Sequence, residues 1–508
     1  MALSTVVFVP LLGALIALFI PRERENAHRT WALIVSLIPL VLLLALWGPF
    51  DATKAGMQFE ERIAWLPSLG ISYHLGIDGI SYPLLLITAV VSVLAIVASW
   101  EIQHRQKEFF AWMLVLQTAM YGVFASLDYI LFFIFWELLL VPMYFLIGIW
   151  GGPKREYAAI KFFIYTLVGS AIMLIGIIAT YFQAGLGSFD ILEIAQKAQF
   201  SRTFQYWAFL AFFAGFAVKV PIWPFHTWLP DAHVEAPTGG SMLLAGVLLK
   251  TGGYGFFRIV LPTFPAGVDA FKWLLALLAV ISIVYGALAA MAQKDLKKMV
   301  AYSSVSHMGF VTLGLAAASG AVAASQAVTD PATLGALLAN GQMALNGAMF
   351  VMISHGLISP LLFFLVGSVF YERAHTRMMD DMGGFYTKIP VAATFLALAA
   401  FANLGLPGLS GFVGEFFTLV GAFPIYQTGV VVACLGLIVT AAYHLWMMQR
   451  VLMGPPRSDE PFTDITGREL AVGVPLAALI VLLGVYPALV QALTNPSVVQ
   501  LMITLGGM

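Results

Sequence analysis

The stretch AVKVPIWPFHTWLP, residues 217–230, lies inside an apolar run yet carries Pro221, Pro224 and Pro230. Proline removes a backbone hydrogen-bond donor and its ring clashes with the preceding turn, so a helix cannot run through this stretch unbroken. In lipid, the carbonyl groups freed by such a break must find partners inside the protein or beside enclosed water. The stretch therefore predicts a membrane helix that is broken in its middle and surrounded by other helices.

A second stretch, ANLGLPGLSGFVGEF at residues 402–416, has the same character, with Pro407 and four glycines inside an apolar run. Paired broken helices in two halves of a membrane chain indicate an internal repeat and a site near the middle of the bilayer. We therefore expect the two breaks to occupy equivalent places in two related halves.

The composition supports a membrane protein. Of 508 residues, 61% are hydrophobic and 10% are charged, whereas soluble domains carry about 25% charged residues. A bilayer core needs roughly 20 mostly apolar residues per helix, and the sequence contains fourteen such runs, which are continuous rather than alternating as in β-barrel strands. The runs are approximately 3–20, 30–49, 76–99, 109–126, 128–150, 157–183, 205–230, 237–260, 271–292, 299–319, 343–370, 390–422, 427–449 and 470–492.

The two broken runs are the seventh and the twelfth, which suggests a repeating unit of five helices. Because five is odd, the second copy is inverted relative to the first. We predict an all-α polytopic membrane protein with 14 transmembrane helices and two inverted five-helix repeats, helices 4–8 and 9–13. The predicted divisions are helices 1–3 in 1–108, the first repeat in 109–260, the second in 271–450, and helix 14 in 451–508.

Lysine and arginine are unevenly distributed between the loops. Sixteen of the 25 basic residues lie in loops after odd-numbered runs, and six lie in loops after even-numbered runs. Cytoplasmic loops are the more basic ones. We therefore predict an integral protein of a bacterial plasma (inner) membrane with both termini on the periplasmic side.

Several functional classes are excluded or disfavoured by the sequence. The net charge of −1 provides no basic surface for nucleic acid. The single cysteine, Cys434, can neither form an internal disulfide nor hold an iron–sulfur cluster. No nucleotide-binding glycine motif or Cys/His cluster for a metal is present. We therefore expect no cofactor in this chain, and any redox partner must reside in another subunit.

Four ionisable residues lie in the middle of apolar runs: Glu137, Lys219, Lys250 and Glu415. A charge at the bilayer centre costs about 2.5–3.5 kcal/mol, so such residues usually face other helices and serve a function. We predict that Glu137 and Lys219 pair, that Lys250 binds and releases a proton, and that Glu415 exchanges protons with one side. The alternatives are a structural carboxylate for Glu137, snorkelling to the interface for Lys219, a static counter-ion for Lys250 and a helix-end acceptor for Glu415.

Histidines in the later runs are candidate proton relays, because histidine titrates near neutral pH. His307 and His355, in the middle of their runs, are the stronger candidates, and His226 and His444 are weaker. Each could instead be a hydrogen-bonded packing residue. Hydroxyl groups that could hold water nearby are those of Ser303, Ser304, Ser306, Ser354 and Ser359.

Other charged residues sit close to the ends of runs. We expect Lys161 to snorkel to the interface and Arg258 and Lys272 to be interface anchors. The side chains that follow run 7 form either a proton entrance or a solvated turn, and they are Asp231, His233 and Glu235.

Five stretches resemble one family closely. They are FFIFWELLLVPMYFLIGIWGG (132–152), REYAAIKFFIYT (155–166), the region 217–258, KKMVAYSSVSHMGF (297–310) and GLPGLSGFVGEF (405–416). They resemble the antiporter-like subunits of proton-pumping NADH–quinone oxidoreductase, respiratory complex I, and in particular its subunit M branch, counterpart of mitochondrial subunit four. The likeness spans predicted helices 3–14.

The resemblance implies proton translocation driven by quinone reduction elsewhere in a complex, as a subunit without redox chemistry of its own. It implies functional roles for Glu137, Lys219, Lys250, Glu415, His307 and His355. NADH, FMN, iron–sulfur clusters and quinone are then expected in other subunits, with antiporter-like subunits L and N on either side. Subunit L carries a lateral helix after its last span, which we do not expect after run 470–492 here.

Related families remain alternatives. They are the Mrp-type sodium/proton antiporters, the photosynthetic NDH complexes and the energy-converting hydrogenases. A passive scaffold that holds neighbouring subunits is an alternative of another class.

Overall fold

The computed structural model describes residues 2–457 and 462–506 and is built mostly of helices. Twelve helices in these ranges are long and apolar enough to cross a membrane, and three further apolar helices are shorter. The bounds of these fifteen helices, and of α7a and α7b on either side of the first break, are α1 (Ala2–Ala17), α2 (Glu25–Ala45), α3 (Ser81–Ala98), α4 (Gln106–Ala125), α5 (Tyr129–Trp150), α6 (Arg155–Ala184), α7a (Arg202–Lys219), α7b (Trp228–Glu235), α8 (Thr238–Thr263), α9 (Pro265–Met291), α10 (Leu296–Ser325), α11 (Pro331–Ala374), α12a (Pro390–Asn403), α12b (Ser410–Ala422), α13 (Gln427–Val451), α14 (Gly467–Val485) and α15 (Ala488–Gly506).

Both predicted breaks are present, and each is stabilised locally. Between α7a and α7b the chain is held by the Trp228 indole, which donates to the Val218 carbonyl at 2.9 Å, and by Ser282, whose hydroxyl accepts from the Trp223 N–H at 3.0 Å. Between α12a and α12b, Gly405 and Gly408 have φ of 81° and 91°, a conformation that side chains with a Cβ rarely adopt. The first break is buried at Pro221 and Ile222, whereas Pro407 and Gly408 of the second break are exposed on this chain. The expectation that other helices of this chain surround both breaks is therefore only partly met.

A β-hairpin corrects the all-α prediction, since the region 50–75 was expected to be a plain connection. Strands β1 (Gln58–Leu66) and β2 (Ile71–Ile77) pair antiparallel, with Ala64 opposite Ser72. Aromatic and β-branched residues that flank a turn containing proline and glycine indicate strands. The segment is too short and too polar to stand out as an apolar run. The hairpin contacts the connection between α4 and α5, where the Leu127 N–H donates to the His74 carbonyl at 2.9 Å.

The end of the chain also differs from the prediction. The run 470–492 is divided at Pro487, because the residue before a proline avoids the helical conformation, and Tyr486 has φ −127° and ψ 68°. The helix α15 that follows was not predicted. The Ser497 hydroxyl accepts from the Gly79 N–H at the start of α3, and other α15 residues contact the start of α11 and the ends of α8 and α10. Contacts with so many helix ends indicate that α15 lies across one face of the bundle.

The innermost helices are α8, α10 and α11, whose apolar windows are almost entirely buried. Helix α8 contains two π-helical turns, Leu244–Leu248 and Phe256–Val260, and α11 contains a third, Leu365–Phe370. Such turns often mark functional sites in helices. These π-helical turns were not predicted from the sequence.

Candidate functional site

Four of the six predicted site residues lie in one line of buried side chains. Lys250 Nζ is 2.6 Å from His355 Nδ1, and His307 Nδ1 is 2.7 Å from Glu415 Oε1. The two imidazole rings have centroids 5.8 Å apart. The four residues, which we call the buried line, come from α8, α11, α10 and α12b, and each is at most 5% exposed. The structure brings these residues together, whereas their role in proton transfer stays a prediction.

Lys250 is held in place by its own helix. Its ammonium donates to the Ala245 carbonyl, which belongs to the first π-helical turn of α8, and to His355. Because an ammonium group only donates, His355 accepts through Nδ1 and carries its own proton on Nε2. A Cβ built on Gly356 would lie 3.6 Å from Lys250 Cε. Small residues therefore let α8 and α11 approach closely at this point.

A cavity of about 10 Å³ lies between His307, His355 and Glu415, with Ser354 and Asn403 also in its wall. This is about the smallest space that holds one water molecule. Among the described residues, Nε2 of either histidine has no hydrogen-bond partner. A single water could therefore bridge the two rings, which would join the two hydrogen-bonded pairs into a continuous chain of donors and acceptors.

Lys219 and Glu137 do not form the predicted ion pair. Within the described chain, no contact of 4.0 Å or less joins their charged groups, and Lys219 Nζ and Glu137 Oε1 lack hydrogen-bond partners. The Lys219 ammonium instead lies 5.4 Å from the Trp136 ring and 5.5 Å from the Phe162 ring. Trp136 is fully buried and Glu137 is half-buried. The Glu137 Oε1 atom is itself buried, and its carboxyl is near enough to Ser170 and Lys219 to interact with both, although no ion-pair contact forms.

Lys219 is nevertheless close to the buried line through helix packing. A Cβ built on Gly252 in α8 would lie 2.9 Å from the Phe216 carbonyl oxygen and 3.0 Å from Lys219 Cβ. Gly252 and Lys250 are two residues apart on α8. The backbones that carry the two lysines are therefore in direct contact.

The side chains after the first break are neither a solvated turn nor a free surface. Asp231 forms an ion pair of 2.6 Å with Lys161, so the Lys161 ammonium has a partner, and its snorkelling to the interface stays a prediction. His233 is buried, and its ring stacks on Phe363 with centroids 4.2 Å apart. Glu235 accepts from a backbone N–H of the loop that follows α5. Whether protons enter here stays a prediction.

The prediction for Arg258 is also wrong. Instead of anchoring at the interface, Arg258 is 6% exposed, and its guanidinium lies 2.6 Å from an oxygen of Asp78. The same guanidinium donates to the Tyr254 hydroxyl at 3.2 Å. Asp78 follows β2 and lies within the predicted run 76–99, where it was not singled out as a buried charge, so its pairing was not anticipated. Lys272 forms a surface pair of 2.6 Å with Asp269.

Polar side chains surround the Glu415 end of the buried line. The Ser354 hydroxyl donates to Ser410 at 2.9 Å. Asn403 Nδ2 lies 2.8 Å from His444 Nε2 and 3.3 Å from the Ser303 hydroxyl. Asn403 was not among the predicted site residues, although its position at the second break was a usable signal.

A separate charged network lies outside the spans, on the hairpin. His74 Nδ1 is 2.8 Å from Asp190, and His74 Nε2 is 3.0 Å from Glu60. Arg62 is 3.2 Å from Asp190. Burial lowers the pKa of His74, but hydrogen bonds with the two carboxylates outweigh it and leave the pKa raised. Burial raises the pKa of Asp190, but the His74 contact, backbone N–H and nearby charges leave that pKa lowered.

Comparisons with protein families match nearly the whole chain. Residues 126–330 and 332–440 match the family described as NADH:quinone oxidoreductase/Mrp antiporter, TM. Residues 33–123 match the family described as NADH-ubiquinone oxidoreductase chain 4, amino terminus. The buried line lies within the first of these matches.

Individual relatives agree with these families. The chain is 44% identical to NADH-quinone oxidoreductase subunit M of Rhodobacter capsulatus, over 98% of this chain and 96% of that protein. It is 40% identical to NADH-ubiquinone oxidoreductase chain 4 of Chondrus crispus, over 94% of this chain and 93% of that protein. A chain of respiratory complex I from Thermus thermophilus with bound NADH superposes with a TM-score of 0.88 at 28% identity, with both chains covered fully.

Proposed function

This chain belongs to the family of antiporter-like membrane subunits of NADH–quinone oxidoreductase that includes subunit M and chain 4, and from that membership we propose that it translocates protons in such a complex. The observation that carries the proposal is the buried line, in which Lys250 contacts His355 and His307 contacts Glu415.

We propose the following movement of protons. A proton that Lys250 releases binds His355 at Nδ1, and His355 gives up the proton on Nε2 toward the cavity. His307 accepts through Nε2 and passes the proton on its Nδ1 to Glu415. Two unit charges about 4 Å apart interact by roughly 4 kcal/mol at an effective dielectric of 20. A change of charge at one residue therefore shifts the proton affinity of the next.

In this proposal, a change of charge at Lys219 and Glu137 shifts the proton affinity of Lys250, the first residue of the buried line. The Lys219 ammonium lies beside aromatic rings and, among the described residues, has no ion-pair partner within 4.0 Å. The helix that carries Lys219 contacts α8 at Gly252, two residues after Lys250. Glu137 lies near the middle of α5 and is only half-buried, and a charge in the membrane interior costs about 2.5–3.5 kcal/mol. A neighbouring protein subunit therefore covers Glu137, and antiporter-like subunits L and N flank the chain.

The proposed topology has fourteen spans in two inverted five-helix repeats, 109–260 and 271–450, flanked by 1–108 and 451–508. The two breaks, five helices apart, support it. The chain lies in a bacterial plasma membrane with both termini on the periplasmic side, where the hairpin and α15 also lie. NADH, FMN, iron–sulfur clusters and quinone bind to other subunits, which supply the free energy.

The test replaces Lys250 by methionine in the assembled complex. Lys250→Met keeps the length of the side chain and removes its proton site, and Lys272→Met is the matched control at a surface lysine. Both complexes are reconstituted in sodium-free vesicles, and the protons moved per NADH oxidised are measured. We expect Lys250→Met to lower the rate of proton translocation by about 10²-fold, typical for loss of a positioned proton-transferring side chain.

Normal pumping by the assembled Lys250→Met complex would contradict the proposal. Proton movement by the native complex that requires added sodium but not NADH oxidation would instead favour an antiporter of the Mrp type. The Lys272→Met control should pump at the native ratio.

A further inference from the structure

A branch leaves the buried line at the second break. Asn403, the last residue of α12a, lines the cavity beside Glu415. Its Nδ2 lies 2.8 Å from Nε2 of His444 on α13. Asn403 is 2% exposed and His444 is fully buried. A titratable residue on a fifth helix is thus connected to the cavity through one amide.

The contact determines which nitrogen of His444 carries the proton. An amide NH₂ group only donates, so Nε2 of His444 accepts and the proton is on Nδ1. Within the described ranges, Nδ1 has no hydrogen-bond partner. An unpaired buried donor costs about 1–3 kcal/mol, and such groups are rare enough in proteins to require an explanation. Packing alone would be served better by an apolar ring.

The same pair has a second arrangement. If Nε2 gains a proton, it becomes a donor and repels the amide NH₂ group. Rotation of the Asn403 amide by half a turn then presents Oδ1, which accepts from Nε2–H. Nδ2 moves to where Oδ1 had been. The orientation of Asn403 is therefore tied to the charge of His444.

We propose that His444 is a further proton-accepting residue of the buried line, and that the Asn403 amide couples its charge to the Glu415 cavity. The proposal rests on the proposed function and extends it to α13. In the transfer, a water in the cavity takes one proton from the His307–Glu415 pair, the Asn403 amide turns away from Nε2 of His444, and the water delivers the proton to that nitrogen. The pair becomes more negative by one charge, and His444 becomes an imidazolium with a proton on each nitrogen. No other bond changes.

His444 stores the proton rather than passing it on. The buried residues beyond it toward the end of α13 are apolar, namely Met447, Met448 and Val451. A proton on His444 therefore returns to the cavity by the same route. Its positive charge faces His307 and Glu415, so it favours the carboxylate form of Glu415 while the store is filled.

The test compares two replacements of His444 in the assembled complex. In His444→Gln, the side-chain oxygen still accepts from Asn403, so packing and the hydrogen bond persist but proton binding is lost. His444→Phe also removes the hydrogen bond. The matched control is His28→Gln, at a buried histidine of α2 far along the chain from the buried line. The protons moved per NADH, the quinone reductase rate and redox-induced infrared difference spectra are measured.

We expect His444→Gln to assemble and to move protons at a rate reduced by about fivefold or more, the lower end of typical coupling between sites. An imidazole band present in the native difference spectrum should be lost from His444→Gln and retained in His28→Gln. Asn403→Leu should reduce pumping similarly, and the double variant should be no worse than either single one, because both interrupt one branch.

Native pumping and an unchanged infrared spectrum in His444→Gln would overturn the proposal and leave a structural histidine. That outcome differs from failure of the proposed function, in which Lys250→Met would also pump normally.

Discussion

At the scale of single residues, the proposed proton transfer depends on where each nitrogen and oxygen of the buried line points. Lys250 donates to His355 Nδ1, and His307 meets Glu415 through its own Nδ1. Both rings therefore turn their Nε2 atoms, which lack partners in the described chain, to the space around the cavity. Histidine can accept at one nitrogen and release at the other. Two histidines in this orientation suit a relay better than a static ion pair.

Another prediction at this scale concerns His74 on the hairpin, whose pKa is raised by Asp190 and Glu60. A histidine with a raised pKa in the folded state stabilises the fold fully below its ordinary pKa of 6.5. That contribution is lost as pH rises through the raised value. We therefore expect the β2 amides to lose protection from hydrogen exchange, after correction for intrinsic rates, as the pH rises above 6.5 and through the raised pKa of His74.

His74→Gln is the control for this prediction. It keeps a hydrogen-bonding side chain without titrating, so its corrected protection should be independent of pH over the same interval. Equal pH dependence in the native chain and in His74→Gln would show that another group is responsible.

The sequence was informative about residue types and less so about partners. Lys250, His307, His355 and Glu415 could be selected because ionisable residues in apolar runs are costly. The predicted ion pair of Glu137 with Lys219 is not present as a direct contact, since spacing along the chain does not reveal that the ammonium lies beside the Trp136 and Phe162 rings. Asn403 was overlooked because a neutral amide carries no such cost.

At the scale of elements, the breaks place polar groups where an unbroken helix could not. Glu415 lies in the second turn of α12b, and Gly405 lies in the break with φ of 81°. A Cβ built on Gly405 would lie 3.0 Å from Glu415 Oε2. The glycine thus permits both the turn and the close approach of the carboxylate.

Gly405→Ala should therefore destabilise the subunit. A left-handed conformation costs a residue with a Cβ about 1–2 kcal/mol, and the methyl group also displaces Glu415. The measurement is the temperature at which the solubilised complex loses this subunit. The control is Gly335→Ala in α11, where a Cβ would meet nothing within 4 Å, and helix propensity there favours alanine. A loss of stability in Gly335→Ala as large as in Gly405→Ala would refute this explanation.

Elements were predictable to the extent that their signal is strong. Long apolar runs and prolines gave the helices and both breaks. The hairpin was not predicted because its strands are short and carry polar residues, so they do not form an apolar run. Helix α15 was not predicted because the apolar run 470–492 continues through Pro487, where the helix in fact ends. The π-helical turns of α8 and α11 have no recognised residue pattern, so only the structure reveals them.

At the scale of the whole molecule, α8, α10, α11 and α12b form a polar core inside an apolar shell. The shell is interrupted at Glu137, a half-buried carboxylate of α5. One face carries the hairpin and α15, and the opposite face carries the more basic loops. A proton-translocating subunit needs such a closed interior with restricted access, because an open aqueous path would discharge the gradient.

The central claim is that the buried line is one pathway from Lys250 to Glu415. The most direct measurement is the number of protons moved per NADH oxidised by assembled complexes carrying Lys250→Met, Glu415→Gln, or both, in sodium-free vesicles. One continuous pathway predicts that each single variant loses pumping and that the double variant is no worse, because residues that act as a unit are not additive. Native pumping by Glu415→Gln, or a double variant that loses the product of the two single effects, would contradict the account.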